Sequence, residues 1–189
     1  GKRTDAKHHM KVAEEHGFTS FADVDIMDAD GEMKIDVNNG TLIIGNGTDE
    51  TYVELDGKIN GEFTINDDAT VRTDGGNLTD DVHVNDNGTI TLTGGEVSGD
   101  VTLDGDGTTS IDGNVVVKGT IDTSTLEIIG EHTVLDIVSG TIGNNVDTMI
   151  IDKGTLIAKA SELVTYDSSS DTYTYNRIDE TINKRTINP

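Results

Sequence analysis

The amino-acid sequence predicts an all-β protein: a short three-sided β-solenoid with a small N-terminal helix and a C-terminal β-hairpin cap. Three observations favour this fold: an apolar residue at every seventh position late in the chain, recurring Gly-Thr corners, and an internal similarity at an offset of 38 residues. An antiparallel β-sandwich or jelly roll is the alternative, because it also uses short strands at intervals of about 8–12 residues.

The seven-residue spacing runs through the last third of the chain, at Ile121, Ile128, Leu135, Ile142, Met149, Leu156 and Leu163. In a coiled coil a second apolar seam accompanies the first. Here that seam is polar, at Thr125, His132, Ser139 and Lys153. The residues in between are mostly Gly, Thr, Asn and Asp, which form turns rather than long helices. The spacing therefore predicts three sides of seven residues, or 21 residues for each turn of a coil.

Two other patterns support a coil of about this size. Residues 57–65 match residues 95–103 at an offset of 38, which equals two turns of 19 residues. The triplet Gly-Thr-Ile/Leu begins at Gly40, Gly88, Gly119, Gly140 and Gly154. We expect these glycines to turn corners with a positive φ, after which Thr faces outward and Ile or Leu faces the core.

The chain divides into four predicted segments: an N-terminal helical docking segment at 1–20, an acidic linker at 21–32, a β-solenoid rod at 33–162, and a hairpin cap with a tail at 163–189. The helix covers residues 4–16, where Thr4 or Asp5 can cap its start and Gly17 can end it. Two alternating arms around the polar loop at 167–171 predict the hairpin, which would cover the open strand edges of the coil.

The composition limits both the core and the partners. Only 33% of the 189 residues are hydrophobic and 4% are aromatic, which suits the thin core of a solenoid better than a broad globular core. The net charge of −23 makes nucleic acid and anionic membranes unfavourable partners. Cysteine is absent, so disulfides and thiolate metal sites are excluded.

Two acidic stretches are candidate calcium sites. Their carboxylates are spaced at short intervals, at Asp23, Asp25, Asp28 and Asp30 in the first stretch and at Asp104, Asp106 and Asp112 in the second. Calcium takes roughly six to eight oxygen ligands, and neither stretch has the closing bidentate Glu of a complete binding loop. Aspartate also forms turns through its short side chain, and this simpler interpretation predicts no bound metal or other cofactor.

The sequence predicts no catalytic site. The carboxylate pairs Asp67/Asp68 and Asp80/Asp81 have the composition of a glycosidase site. Sugar-binding sites generally use aromatic platforms, however, and residues 60–160 contain a single aromatic residue, Phe63. The sequence also lacks a nucleophile elbow, a phosphate-binding loop and a dinucleotide fingerprint. We therefore expect a non-enzymatic protein.

Over its whole length the chain resembles the virion-associated fibre and decoration proteins of phages. The resemblance is carried by a short, slightly basic N-terminal helix, an acidic linker, a β-rod rich in Gly, Thr, Asn and Asp, and a distinct C-terminal cap. In such proteins the N-terminal segment tends to anchor to the particle while the rod projects, often as a trimer. The resemblance implies a virion or extracellular location, docking through residues 1–20, and homo-oligomers that are trimers or a lattice.

The expected function is that of a structural protein of an extracellular assembly, a virion fibre or decoration component that binds other virion or filament subunits. Two alternatives belong to other classes: a secreted adhesin or surface binding module stabilised by calcium, and a carbohydrate-active β-helix enzyme. A solenoid of about 130 residues would form roughly six or seven turns and span about 30 Å. One copy is therefore short, and many copies on a lattice or in a stacked filament are expected.

Overall fold

A computed structural model of the chain describes residues 18–21, 24–29, 32–37, 42–48, 50–55, 57–159, 161, 164–170 and 172–175. Nearly all regular structure in these ranges is β. The strands in chain order are β1 (Phe18–Phe21), β2 (Val24–Ala29), β3 (Glu32–Val37), β4 (Leu42–Ile44), β5 (Thr51–Leu55), β6 (Ile59–Asn60), β7 (Phe63–Ile65), β8 (Ala69–Thr73), β9 (Val82–Val84), β10 (Thr89–Leu92), β11 (Glu96–Val97), β12 (Thr102–Ile111), β13 (Asn114–Val117), β14 (Thr120–Ile129), β15 (Val134–Asp136), β16 (Thr141–Ile142), β17 (Thr148–Asp152), β18 (Thr155–Ile157), β19 (Val164–Asp167) and β20 (Thr172–Tyr175). A short 3-10 helix, Gly75–Asn77, lies between β8 and β9.

Strands from successive turns pair in parallel and form three faces around one core. Face 1 contains β4, β7, β9, the first parts of β12 and β14, and β16. Face 2 contains β5, β8, β10, the second parts of β12 and β14, and β17. Face 3 contains β6, β11, β13, β15 and β18. This parallel pairing confirms the three-sided β-solenoid and excludes the antiparallel sandwich.

The core consists of apolar columns that run from turn to turn, because paired residues of neighbouring strands lie one above the other. The column of face 1 contains Leu42, Phe63, Val82, Leu103, Ile121 and Ile142, all of which are buried. Face 2 contributes Val53, Val71, Ile90, Leu126 and Met149, and face 3 contributes Ile59, Leu78, Val97, Val115, Val117 and Leu135. Burying each such side chain stabilises the fold by about 1.5–3 kcal/mol, so a core only one or two side chains wide suffices.

Successive residues of the seven-residue spacing lie on faces 1, 2 and 3 in turn. Ile121 lies on face 1, Ile128 on face 2 and Leu135 on face 3. One turn later Ile142 pairs with Ile121, and Leu156 pairs with Leu135. The three sides are therefore confirmed, and the 21-residue turn is confirmed here for faces 1 and 3. On face 2 Met149 pairs with Leu126, and Ile128 pairs with Ile151, so the offset there is 23 residues. Leu163 lies outside the described residues.

The expected role of the corner glycines is wrong in one respect. The glycines of the four described Gly-Thr corners are buried, but none of them has a positive φ. Glycine is needed there because the neighbouring turn leaves no space for a side chain: an added Cβ would lie 2.5 Å from the Ser98 oxygen at Gly119, and 2.5 Å from the Val117 oxygen at Gly140. The following residues behave as predicted, with Thr120 partly exposed and Ile121 buried. These glycines let adjacent turns approach closely at the corners.

The N-terminal predictions have two outcomes. The helix at 4–16 and its docking role fall outside the described residues. Part of the expected linker at 21–32 is instead β2, which pairs with β3 in an antiparallel hairpin. Apolar Val24 and Ile26 alternate with Asp25, and this pattern outweighs the turn preference of the aspartates. β2 is the edge strand of its sheet, where charged residues are well tolerated.

The C-terminal hairpin is confirmed. β19 and β20 pair in antiparallel register around the polar loop, with Tyr166 opposite Tyr173 and Val164 opposite Tyr175. This pair forms a separate two-stranded sheet. Its predicted role as a cap on the coil stays a prediction.

Candidate functional site

The outward surface of face 1 is acidic. Alternate residues of a strand point to opposite sides, so the positions between the core residues form this surface. They include Glu62, Asp81, Asp104 and Asp122, together with His83. No Lys or Arg occupies an outward position of this face in the described part of the chain. Face 1 therefore carries four carboxylates without a fixed compensating charge.

An open groove lies on face 1 around a histidine–carboxylate pair. His83 Nδ1 and Asp104 Oδ1 are 2.6 Å apart, and both side chains are about half exposed. The groove has a volume of about 290 Å³ and is lined by Leu42, Glu62, Phe63, Thr64, Asp81, His83 and Asp104. A histidine held by a carboxylate can exchange protons, so this groove has the residue types of general acid–base chemistry.

Two other carboxylates of face 1 bind groups of the next turn. The Thr102 N–H donates to Asp81 Oδ1 at 2.6 Å. The Asn145 N–H donates to one oxygen of Asp122 at 2.9 Å, and the Asn145 side-chain amide donates to the other oxygen, also at 2.9 Å. These acids therefore hold successive turns together, which is a structural role.

Face 2 presents hydroxyl groups and one long-range ion pair. Threonines from five successive turns lie in one outward column, at Thr70, Thr89, Thr108, Thr125 and Thr148. Arg72 binds Asp112 at 2.6 Å and crosses strand β10 to reach it. The hydrogen bond to Asp112 raises the pKa of the Arg72 guanidinium, so the arginine stays charged at every pH below its ordinary value. A shallow depression of about 150 Å³ lies beside this pair.

Face 3 differs from the other faces in charge and polarity. Its outward positions include Lys58, Lys118 and Lys159 against two acids, Glu96 and Asp136. Lys118 and Glu96 form an ion pair at 2.8 Å across neighbouring turns. Three large apolar side chains are exposed between these charges, namely Val116, Val138 and Ile157.

The predicted calcium ligands are not brought together by the described structure. Asp104 and Asp112 lie at opposite ends of the strand β12 region, and each has a different basic partner, His83 or Arg72. An extended strand separates alternate carboxylates, so the stretch that contains Asp106 is a strand with a bulge rather than a closed binding loop. In the described ranges no group of three or more His, Asp or Glu could hold a metal ion.

The first acidic stretch is described only in part. Asp25 and Asp28 lie on β2, whereas Asp23 and Asp30 fall outside the described residues. Calcium binding by this stretch stays a prediction.

The sequence analysis did not predict the side-chain contacts between neighbouring turns, although the spacing of complementary polar residues indicates them. His83 and Asp104 are 21 residues apart, Glu96 and Lys118 are 22 apart, and Asp122 is 23 residues from Asn145. Each separation is close to one turn of the coil. Once the turn length is known, complementary polar residues at that offset identify such pairs.

The chain was compared with protein-family models, curated proteins and solved structures, and none of them matches it. Within the described residues no helix has the length and apolar character needed to span a bilayer.

Proposed function

We propose that the protein is a non-enzymatic structural component of an extracellular assembly, and that this assembly is a virion in which the protein forms a fibre or decoration. One observation carries the proposal: the ion pairs and the longer-range carboxylate hydrogen bonds of the described coil tie its turns together instead of converging on an enclosed cavity. Lys118–Glu96 and the Asp122 contacts join neighbouring turns, and Arg72–Asp112 spans two turns.

The continuous core supports the same proposal. The buried apolar side chains form one cluster through about six turns, and at a strand spacing of about 4.8 Å these turns form a rod about 29 Å long. A rod of this kind resists bending because its apolar columns pass through every turn. Stiffness and a regular outer surface are the properties that a repeated building block requires.

Sedimentation velocity of the purified full chain, over a concentration series up to about 100 µM, tests whether the protein assembles. We expect multimers that increase with concentration. A single monomeric species over the whole series would contradict the proposal. Immunogold labelling of particles and filaments from the source culture then identifies the assembly, and label confined to soluble material would contradict the virion assignment.

A carbohydrate-active enzyme is the second candidate, because the groove around His83 and Asp104 has groups that exchange protons. The groove wall argues against it: Phe63, its aromatic residue, is only 4% exposed and offers no platform for a sugar ring. Polysaccharide cleavage by the full chain that is lost in His83→Gln would favour the enzyme over the structural protein.

The alternative of a calcium-stabilised adhesin is tested by measuring whether calcium changes the melting temperature. Thermal unfolding in calcium and in EDTA should give the same midpoint if aspartate serves only in turns. A midpoint that rises with calcium concentration would instead favour the adhesin.

A further inference from the structure

Face 3 has a small apolar surface on its last three turns. Val116, Val138 and Ile157 have exposed fractions of 38%, 41% and 44%, and Val134 beside them is half buried. Val116 pairs with Asp136 and Asp136 pairs with Ile157, so these residues come from three adjacent strands. Asp136 lies between Val116 and Ile157, so a partner that covers these apolar side chains must also meet charged ones.

The charge of this surface sets it apart from the rest of the molecule. The whole chain has a net charge of −23, yet the described outward positions of face 3 hold three lysines against two acids. Face 1 holds four carboxylates and no Lys or Arg among its described outward positions. Complementary charge on two surfaces of one molecule favours contact between them when two copies meet.

We infer that face 3 of one copy docks against face 1 of a second copy, side by side along the rod. This interface rests on the proposed function, since it names the contact through which the structural protein would assemble. The contact is heterologous: each copy uses face 3 toward one neighbour and face 1 toward the other, which builds a ring or an extended array. The lysines meet the carboxylates, and the valine and isoleucine side chains are removed from water.

The size of the faces sets the strength of the contact. Six turns at about 4.8 Å and three outward positions over about 14 Å give each face roughly 400 Å². A standard stable interface buries about 800 Å² on each partner. One contact is therefore weak, and a closed ring, in which every copy makes two contacts, is more stable than a pair of copies. Assembly should accordingly depend steeply on concentration.

Contact between two copies of face 3 is less favourable, because it would place lysines against lysines. Among the faces, face 1 supplies the highest density of carboxylates without a neighbouring Lys or Arg in the described residues. Face 1 of a second copy is therefore the surface whose charge best complements that of face 3.

The test compares two double variants of the full chain by sedimentation velocity. Val116→Asp with Val138→Asp places two charges in the apolar surface of face 3. The control, Tyr52→Asp with Ile150→Asp, makes the same change at exposed apolar residues of face 2, which are 58% and 36% exposed. We expect the first variant to raise the apparent dissociation constant at least tenfold, and the control to change it less than threefold.

A milder double variant distinguishes a weakened contact between copies from a loss of folding. Val116→Thr with Val138→Thr keeps the branched shape at both positions, and we expect a several-fold weaker association with an unchanged melting temperature. If multimers persist unchanged in both face 3 variants, this interface is wrong while the proposed function stands. If the unaltered chain is monomeric throughout, the proposed function itself fails.

A second pair of variants identifies the occupant. Glu62→Lys reverses a charge on face 1, and Glu54→Lys makes the same exchange at an exposed position of face 2. We expect Glu62→Lys to weaken association at least threefold and Glu54→Lys to leave it unchanged. Weakening by the face 3 variants alone would show that face 3 binds a surface other than face 1, and would overturn the inferred pairing.

Discussion

Face 1 and face 3 are built alike on the inside and differently on the outside. Leu103 on face 1 and Leu135 on face 3 are both completely buried in columns of apolar residues. The outward residues of face 1 include carboxylates, threonines and His83, whereas those of face 3 include lysines and exposed valines. The coil requires buried, mostly apolar side chains at every second position and constrains the alternate, outward positions less. The difference between the faces therefore lies in the outward half of the strand sequence, on which stability depends less.

The largest expected effects should be equal on the two faces, because they concern the shared interior. Leu103→Ala and Leu135→Ala each remove a fully buried side chain from the middle of a column. We expect each to lower the free energy of unfolding by about 2–5 kcal/mol, measured by urea denaturation. A loss below about 1 kcal/mol for one of them would show that the two columns are not packed alike.

The second largest loss of stability is expected at the corner that joins face 3 to face 1. At Gly119 an added Cβ would meet the main-chain oxygens of Val101 and Ser98, which cannot move aside. We expect Gly119→Ala to destabilise the fold by about 1–3 kcal/mol. Gly99 is the matched control at the same corner one turn earlier, since its nearest neighbour, the Lys118 oxygen, is 3.8 Å away. Gly99→Ala should change stability by less than about 0.5 kcal/mol in the same thermal melt.

A smaller difference should separate the carboxylates of the two faces. Asp122 on face 1 accepts two hydrogen bonds from Asn145 of the next turn, whereas Asp136 on face 3 accepts one from Val138, two residues away. We expect Asp122→Ala to cost about 1–2 kcal/mol and Asp136→Ala about half as much or less. Equal losses in urea denaturation would mean that the tie between turns adds nothing beyond a local bond.

The smallest effect on stability should come from the outward residues that distinguish the faces. Val116→Thr on face 3 and Thr64→Val on face 1 exchange similar shapes at positions outside the core. Each should change the free energy of unfolding by less than about 0.5 kcal/mol. A larger loss in calorimetry for Val116→Thr would show that Val116 supports the fold rather than a contact between copies.

The fold was predictable because a periodic signal reports directly on a periodic structure. Ile121 and Ile142 occupy the same place in successive turns, so their separation in the sequence equals the number of residues in that turn. The steric role of Gly119 was not predictable in the same way, because it depends on how closely the preceding turn approaches. The strand β2 was missed since its aspartates were weighed as turn formers and not as residues of an edge strand.

The candidate surfaces were less predictable than the fold. Composition shows that the chain is acidic, but it does not show which residues share a face. Lys58, Lys118 and Lys159 are far apart in sequence and lie on face 3 only because the turns have nearly constant length. The acidic stretch that contains Asp104 and Asp112 was interpreted as a loop, and the strand geometry gives each of these residues a separate partner.

The buried hydroxyl pair of Thr109 and Thr123 bears on how the chain avoids misthreading. Their oxygens are 2.8 Å apart, and Thr109 interrupts a column that is otherwise apolar, with Ile90 before it and Leu126 after it. Turns of similar composition can stack on the wrong neighbour during folding. A turn displaced by one place would bury these hydroxyls among methyl groups, at a cost of about 1–3 kcal/mol for each. The hydrogen bond between the two hydroxyls therefore forms only when these turns stack in the correct order, which favours that order. A Thr109→Val, Thr123→Val chain should melt no lower, yet refold into a mixture of stacking orders.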